Sequence, residues 1–487
     1  MLAMVTAMVV IGWYSASTPD HPAAGQPPTV PDPIARFASL SPHDPISIVG
    51  NAGFAGPNAT TGVVRGSGSA TDPYVISGWD IDASGADGIN VKDADAYFVI
   101  RDCYIHDGIA NYNTGIYLEN CRNGVITNNT CLYTWDGVYL LSSSDITVTD
   151  NNCSYDDGGV ILFRSVNITL RNNTMFGNGM SVSGYNLDEC NTHDIDTSNT
   201  VNGKGIYYYR DQAGVAVPKD AGQVILANCT GFVIEDHTFV DATSGVMMLF
   251  SADNTVRNNT FRNSVYGVYL WYSVGNTVVD NTCYNDAPSE YWWGGTALIG
   301  STNNTVARNA FSDSSYGLLV SESSDGNAIT DNSIFHNANG IYLQNSDHNS
   351  ITRNWIHNNT QYGALVMFSM DNVIWNNTFF QNNGASGTYD PAHVQALETG
   401  IANRWNDTEG HGNHWSDWTA PDTFPPFGVV DSPYEIDGGT DSRDYYPLTS
   451  APTEPIPEFS AMPLIVAALL ISVPLARGHL LKSARTR

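Results

Sequence analysis

From residue 46 to about residue 383, apolar and polar positions alternate in runs of three to six residues, cut at short intervals by Gly, Asn, Asp or Ser, with no 3.6-residue helical period. One phrase, Gly then two apolar residues flanking a Tyr or Ile, recurs at Gly115-Ile116-Tyr117-Leu118, Gly137-Val138-Tyr139-Leu140, Gly159-Val160-Ile161-Leu162, Gly267-Val268-Tyr269-Leu270 and Gly340-Ile341-Tyr342-Leu343. A second, Asn-Asn-Thr and one apolar residue, recurs at Asn128, Asn172, Asn258 and Asn376, with looser copies at Asp150 and Asp280. The closing apolar residues are Cys131, Cys153, Met175, Phe239, Phe261, Cys283, Phe311, Ile334, Ile356 and Phe379, at intervals of 22, 22, 64, 22, 22, 28, 23, 22 and 23. The period is therefore about 22 residues, with one long and one short insertion.

A repeat this short, built of two or three strands, cannot bury its own apolar face. Coils stacked at ~4.8 Å turn equivalent strands into parallel sheets and equivalent side chains into ladders. Propeller blades need roughly 40 residues, and leucine-rich repeats need a Leu/Asn frame that is absent. The fold class is all-β, a right-handed parallel β-helix, the hand following the rule for parallel crossovers. The Gly before each strand is expected to make a corner at positive φ. The turn Asn is expected to take the left-handed conformation and to bond the same amide one coil on.

The seven Cys fall on repeat positions, with Cys131 and Cys153 on one ladder and Cys121 and Cys229 on another, which fits small buried side chains better than a disulfide framework. The regular coils span 46–384. Residues 179–224 break the period, as two irregular coils or a loop domain over one face. Residues 385–448, dense in Trp, Asp and Pro, suit a C-terminal cap.

Composition adds limits. Charged residues make up only 14% of the 487, and the net charge is −29, which excludes a nucleic-acid partner. Residues 1–24 read as a signal peptide or N-terminal anchor, without the usual basic start, and 25–45 as a Pro-rich linker. Residues 449–460 form a second linker, 461–476 an apolar run suited to one transmembrane helix, and 477–487 a basic tail that places the C-terminus in the cytoplasm. Pro457-Glu458-Phe459, just ahead of the apolar run, resembles the PEF-type sorting signals of archaeal surface proteins, which implies a sortase-like processing enzyme as a partner. The expected location is the outer face of the cell membrane.

The Asn-Asn-Thr coils, the Gly-Ile-Tyr-Leu strands, the segment Gly203–Tyr209 leading to Ala221–Leu226, and the ending Gly412-Asn413-His414-Trp415-Ser416-Asp417-Trp418 followed by Asp444–Leu448 together resemble NosD-type β-helices. These belong to the wider class of carbohydrate-binding and sugar-hydrolase β-helices. Gly412, Asn413, Trp415 and Asp417 carry the family's cap motif. The family's Asp/Gly-rich, calcium-like stretch is replaced here by Pro421–Gly428, so no clear calcium site is read.

Three chemistries follow. The NosD resemblance implies copper supply, yet the twelve His are scattered, and His411 with His414 is the best local pair for a metal. Glycan cleavage needs clustered carboxylates, and Asp136 with Asp156 and Asp157 one coil on are the catalytic candidates, although Asp-Gly is also ordinary turn chemistry. Tyr291-Trp292-Trp293, in the coil lengthened to 28, suits a sugar-stacking platform. Of the N-x-S/T sequons, Asn58 and Asn406 lie outside the regular coils and are the expected glycosylation sites, since stacked Asn side chains would be inaccessible. No cofactor is assigned. The favoured reading is a non-catalytic surface protein presenting its β-helix to extracellular glycans or surface proteins; a polysaccharide hydrolase or lyase and a copper-accessory factor are the alternatives.

Overall fold

The computed structural model describes residues 40–54, 60–285, 294–439 and 442–452. The signal segment, the linker carrying Pro457, Glu458 and Phe459, the apolar run 461–476 and the basic tail lie outside them. Among the described residues no helix is long and apolar enough to cross a membrane.

The chain forms a parallel β-solenoid of about 13 turns with almost no helix. Each turn contributes one strand to each of three faces. In the first stack, face one is a six-stranded sheet: Ile46–Val49, Ile89–Lys92, Ile116–Glu119, Asp136–Leu141, Gly158–Phe163 and Met180–Ser183. In the second stack, face one begins at Gln223–Ala227 and Ser244–Leu249 and runs to Ala396–Glu398, while the other two faces hold seven and eight strands.

The segment that breaks the period is the junction between the stacks. Strand Thr200–Val201 turns at Asn202-Gly203, both at positive φ (51° and 78°), into Lys204–Arg210, which pairs antiparallel to it. Asn-Gly between two β-forming runs is a strong hairpin signal. Lys204–Arg210 then pairs in parallel with Gln223–Ala227, so one 16-stranded sheet passes through both stacks and reverses strand direction at this hairpin. The reversal moves the enclosed core to the opposite side of the sheet. Val224, Leu226, Val246 and Met248 line the second core, whereas Ile225, Met247 and Leu249, on the other side of the same strands, close the open end of the first. Burying each such side chain contributes roughly 1.5–3 kcal/mol. Gln223 locks the join, its Oε1 accepting from the Met180 N–H at 3.1 Å and its Nε2 donating to the Met180 carbonyl at 2.7 Å.

All ten repeat markers are buried, and those on adjoining coils pair in register, from Cys131↔Cys153 to Ile356↔Phe379. The seven Cys are buried free thiols. The Gly that opens each such strand phrase serves a different purpose from the one expected. None of Gly115, Gly137 and Gly159 has positive φ. A Cβ on Gly137 would instead point into the core, 2.5 Å from Cys153 Cβ and 2.7 Å from the Gly159 carbonyl. Close approach, not dihedral angle, demands Gly there.

The Asn-Asn pairs divide two duties that the sequence alone assigned to one residue. The first Asn (Asn128, Asn172, Asn258, Asn376) takes the left-handed conformation and lies outside the core. The second is buried and stacks: Asn129 Nδ2 donates to Asn151 Oδ1 at 3.0 Å, and Asn151 Nδ2 to Asn173 Oδ1 at 3.0 Å. The sequon Asn is therefore the outward one, and stacking does not hide it. Asn406, by contrast, is half-buried, with Nδ2 donating to the Asp407 carbonyl at 2.8 Å, and Asn58 lies outside the described residues.

Three such ladders run through the second stack, all with donors directed towards the C-terminus, so each last amide needs an acceptor that carries no hydrogen of its own. The cap supplies three buried carboxylates. Asn413 donates to Asp444, Asn403 to Glu398 (2.8 Å) and Gln395 to Asp417 (2.5 Å). Each carboxylate also accepts from a buried aromatic residue: Trp415 Nε1 to Asp444 (2.9 Å), Trp405 Nε1 to Glu398 (2.6 Å) and Tyr434 O–H to Asp417 (3.1 Å). Trp415 stacks between Phe379 (4.3 Å) and Tyr434 (4.0 Å), which plugs the core.

Candidate functional site

Alternation along each strand of face one in the first stack puts Val138 and Leu140 inside and Tyr139 and Leu141 outside. Because Gly137 turns inward as well, Asp136 faces outward. Its Oδ1 lies 2.3 Å from where a Gly158 Cβ would be, in the space that this Gly leaves beside Ile161. The residue is only 7% exposed, and its carboxylate hydrogen-bonds to no described residue. Asp157 sits beside it. Burial, reinforced by the charges of Asp157 and Asp87, holds the Asp136 carboxyl well above the usual carboxylate range, and burial pushes Asp157 up to about 6.

Asp156 does not join them. Its Oδ1 accepts from the Thr134 N–H (2.7 Å) and Oγ1 (2.9 Å), and its Oδ2 lies 2.9 Å from the inward Cβ position of Gly137. It is a corner residue of the core, one step in a ladder. Of the three catalytic candidates, the fold brings two together on the outer face and places the third inside.

Aromatic side chains surround the outward pair. Tyr117 and Tyr139, in register on adjoining coils, stack at 5.5 Å, and Lys92 Nζ lies 5.1 Å from the Tyr117 ring centre. Tyr112, at the tip of a short 3-10 turn, is 60% exposed and meets Trp135 edge-on at 4.7 Å. Further along the stack Phe163 and the half-exposed Tyr185 meet at 5.8 Å, with the Arg164 guanidinium 5.6 Å from the Tyr185 ring. The Tyr117/Tyr139 position continues in Ile161, and Phe163 is in register with Leu141, so the outward aromatics form a staggered track across the face from Tyr117 to Tyr185, with Asp136 and Asp157 beside it. Lys92 and Glu119 pair at 3.0 Å, and Asn90 Nδ2 donates to Asp87 at 2.8 Å. The alternating strand pattern gave a signal for Tyr117 and Tyr139; Tyr112 and Trp135 carry none, because their meeting depends on the corner geometry of two coils.

The other candidates fall elsewhere. Tyr291, Trp292 and Trp293 lie outside the described residues. His411 and His414 take different partners: His411 Nδ1 lies 2.7 Å from Asp407 Oδ2, whereas His414 Nδ1 lies 3.2 Å from the Leu448 carbonyl. His411 instead groups with Asp407 and Glu409, the one set among the described residues that brings three potential metal-ligating atoms within 4.8 Å. Asp407 already accepts from the N–H groups of Glu409 and His411 (2.9 and 2.8 Å), so the set reads as a closed turn, and two carboxylates with one imidazole do not make the soft donor set of a copper(I) carrier. In the cap motif, Asn413, Trp415 and Asp417 are the ladder-ending groups, and Gly412 is required because a Cβ there would lie 2.0 Å from Asp444 Oδ1.

Residues 51–221 match the family model described as right-handed beta helix region. With the observed topology this places the chain in the right-handed β-helix family. Residues 199–420, essentially the second stack, match the family model of NosD, described as a periplasmic copper-binding protein. No curated protein matches the chain. Among solved structures, a mutant of the periplasmic alginate epimerase AlgG is similar at 16% identity, over 77% of this chain and 76% of that one, with a TM-score of 0.33. The A-module of the mannuronan C-5 epimerase AlgE6 of Azotobacter vinelandii is similar at 13% identity, over 79% and 87%, with a TM-score of 0.26. A mutant of the PL6 family alginate lyase AlyGC is similar at 12% identity, over 66% and 52%, with a TM-score of 0.27.

Proposed function

We propose that this chain is a cell-surface glycan-binding β-helix, and that a linear polysaccharide lies along face one of the first stack. The observation that carries this reading is the group of outward aromatics on successive coils of this face, Tyr117 and Tyr139 stacked in register and Phe163 with Tyr185 staggered beside them. The coil rise of ~4.8 Å is close to the length of one pyranose residue, so successive sugars meet equivalent positions of successive coils. Aromatic faces stack on the apolar faces of sugar rings, and nearby polar groups fix their hydroxyls.

The test is to pass the full-length chain over immobilised polysaccharides, scoring retention and released reducing ends separately. Retention without release supports binding. Release that disappears in Asp136→Asn replaces it with a hydrolase or lyase, and no retention on any polysaccharide removes the glycan reading.

A further inference from the structure

Resting on the glycan reading, we infer that the track selects a polysaccharide bearing free amino groups over neutral or uronate-rich chains. The acids of this face are Asp87, Asp136, Asp157 and Glu119, against two basic groups. Of those two, Lys92 is neutralised by Glu119 at 3.0 Å, and Arg164 lies at the far end over Tyr185. A uronate chain would set a carboxylate on every sugar against this surface, with no free cation among the described residues in the middle of the track to receive it.

The second observation is Asp136 itself. Asp136 is only 7% exposed on an outer face, its carboxyl group hydrogen-bonds to no described residue, and a cationic donor beside it would favour its ionised form. A sugar ammonium supplies both the charge and up to three N–H groups, and the outward placement over Gly158 leaves the carboxylate oriented towards the track. A shared metal ion is the competing way to satisfy these acids. Among the described residues, however, no set of three ligating atoms within 4.8 Å includes Asp87, Asp136 or Asp157.

The experiment compares three hexamers by calorimetry on the full-length chain in physiological salt: glucosamine, N-acetylglucosamine and a hexuronate, the last with and without calcium. The expected result is glucosamine binding at least tenfold tighter than N-acetylglucosamine, and no hexuronate binding in either condition. Asp136→Asn/Asp157→Asn should bind both amino-sugar hexamers equally. A glucosamine preference that survives in this double variant is diffuse attraction to a chain of net charge −29 and overturns the proposal. Equal binding of the two amino-sugar hexamers by the unmodified chain, or tighter binding of hexuronate, overturns it while leaving the glycan reading intact. No binding of any hexamer overturns both.

Discussion

Asn413 donates twice to the same oxygen of Asp444, from its backbone N–H at 2.6 Å and from Nδ2 at 3.2 Å, and so ends an amide ladder that passes through Asn377, Asn354 and Asn332 from coils further back. A ladder of amides is directional, because each carbonyl is used by the coil before and each NH2 by the coil after. Only an acceptor without hydrogens closes it cleanly. Glu398 and Asp417 do the same for the two parallel ladders.

Asp444→Asn is therefore expected to set an NH2 group against donors it cannot satisfy, since Asp444 also accepts from Trp415 Nε1 and the Tyr446 N–H. A buried donor left without a partner costs about 1–3 kcal/mol. Hydrogen exchange should show the loss first in the last coils, around Thr378–Phe380 and His414–Trp415, because a stack transmits damage only through neighbours.

Gly137→Ala is expected to destabilise the first stack by about 1–3 kcal/mol, the usual effect of overpacking a tight core. Gly85→Ala is the control, since a Cβ there meets nothing within 4 Å. Thermal unfolding of the two variants should separate close approach from a general effect of removing Gly.

The pH dependence has a definite sign. Asp157 has a folded pKa raised to about 6 by burial, so its contribution is fully present below its unfolded pKa near 4 and is lost as pH rises through 6. Asp136 is shifted in the same direction for the same first cause. Asp157→Asn should flatten the fall in stability between pH 4 and 7. A shift of roughly two units corresponds to a gain of up to about 3 kcal/mol at pH 7 over the unmodified chain. Denaturant midpoints measured across that range check it; an unchanged slope would show that Asp157 is fully solvated.

Tyr139→Ala removes an outward ring without touching the core. Glycan affinity should drop about tenfold or more, the scale of one lost stacking contact, while the unfolding transition stays in place. Loss of fold together with binding would mark Tyr139 as structural.

Much of this was legible in the chain. The 22-residue marker positions gave the coils, and Asn413, Trp415 and Asp417 stood out as one cap motif. Two features were not. The Asn-Asn pairs read as one turn element, and only the three-dimensional corner shows that Asn128 turns outward while Asn129 stacks inward. The reversal of the sheet had a local signal in Asn202-Gly203, but its consequence, one face closing the other stack, depends on contacts such as Met180 with Gln223, 43 residues apart. For the site, one-coil spacing grouped Asp136, Asp156 and Asp157 alike. Which of them face outward is set by the inward turn of Gly137, which spacing alone does not encode.

The most direct test of a glycan lying along face one is a hydrogen-exchange footprint of the full-length chain with and without a saturating hexamer of the best-retained polysaccharide. Protection is expected in Ile116–Glu119, Asp136–Leu141 and Gly158–Phe163, with none in the equivalent strands Tyr316–Ser321 and Asn339–Gln344 of the second stack. Protection confined to the second stack, or to the faces formed by the other two strands of each coil, would contradict the placement.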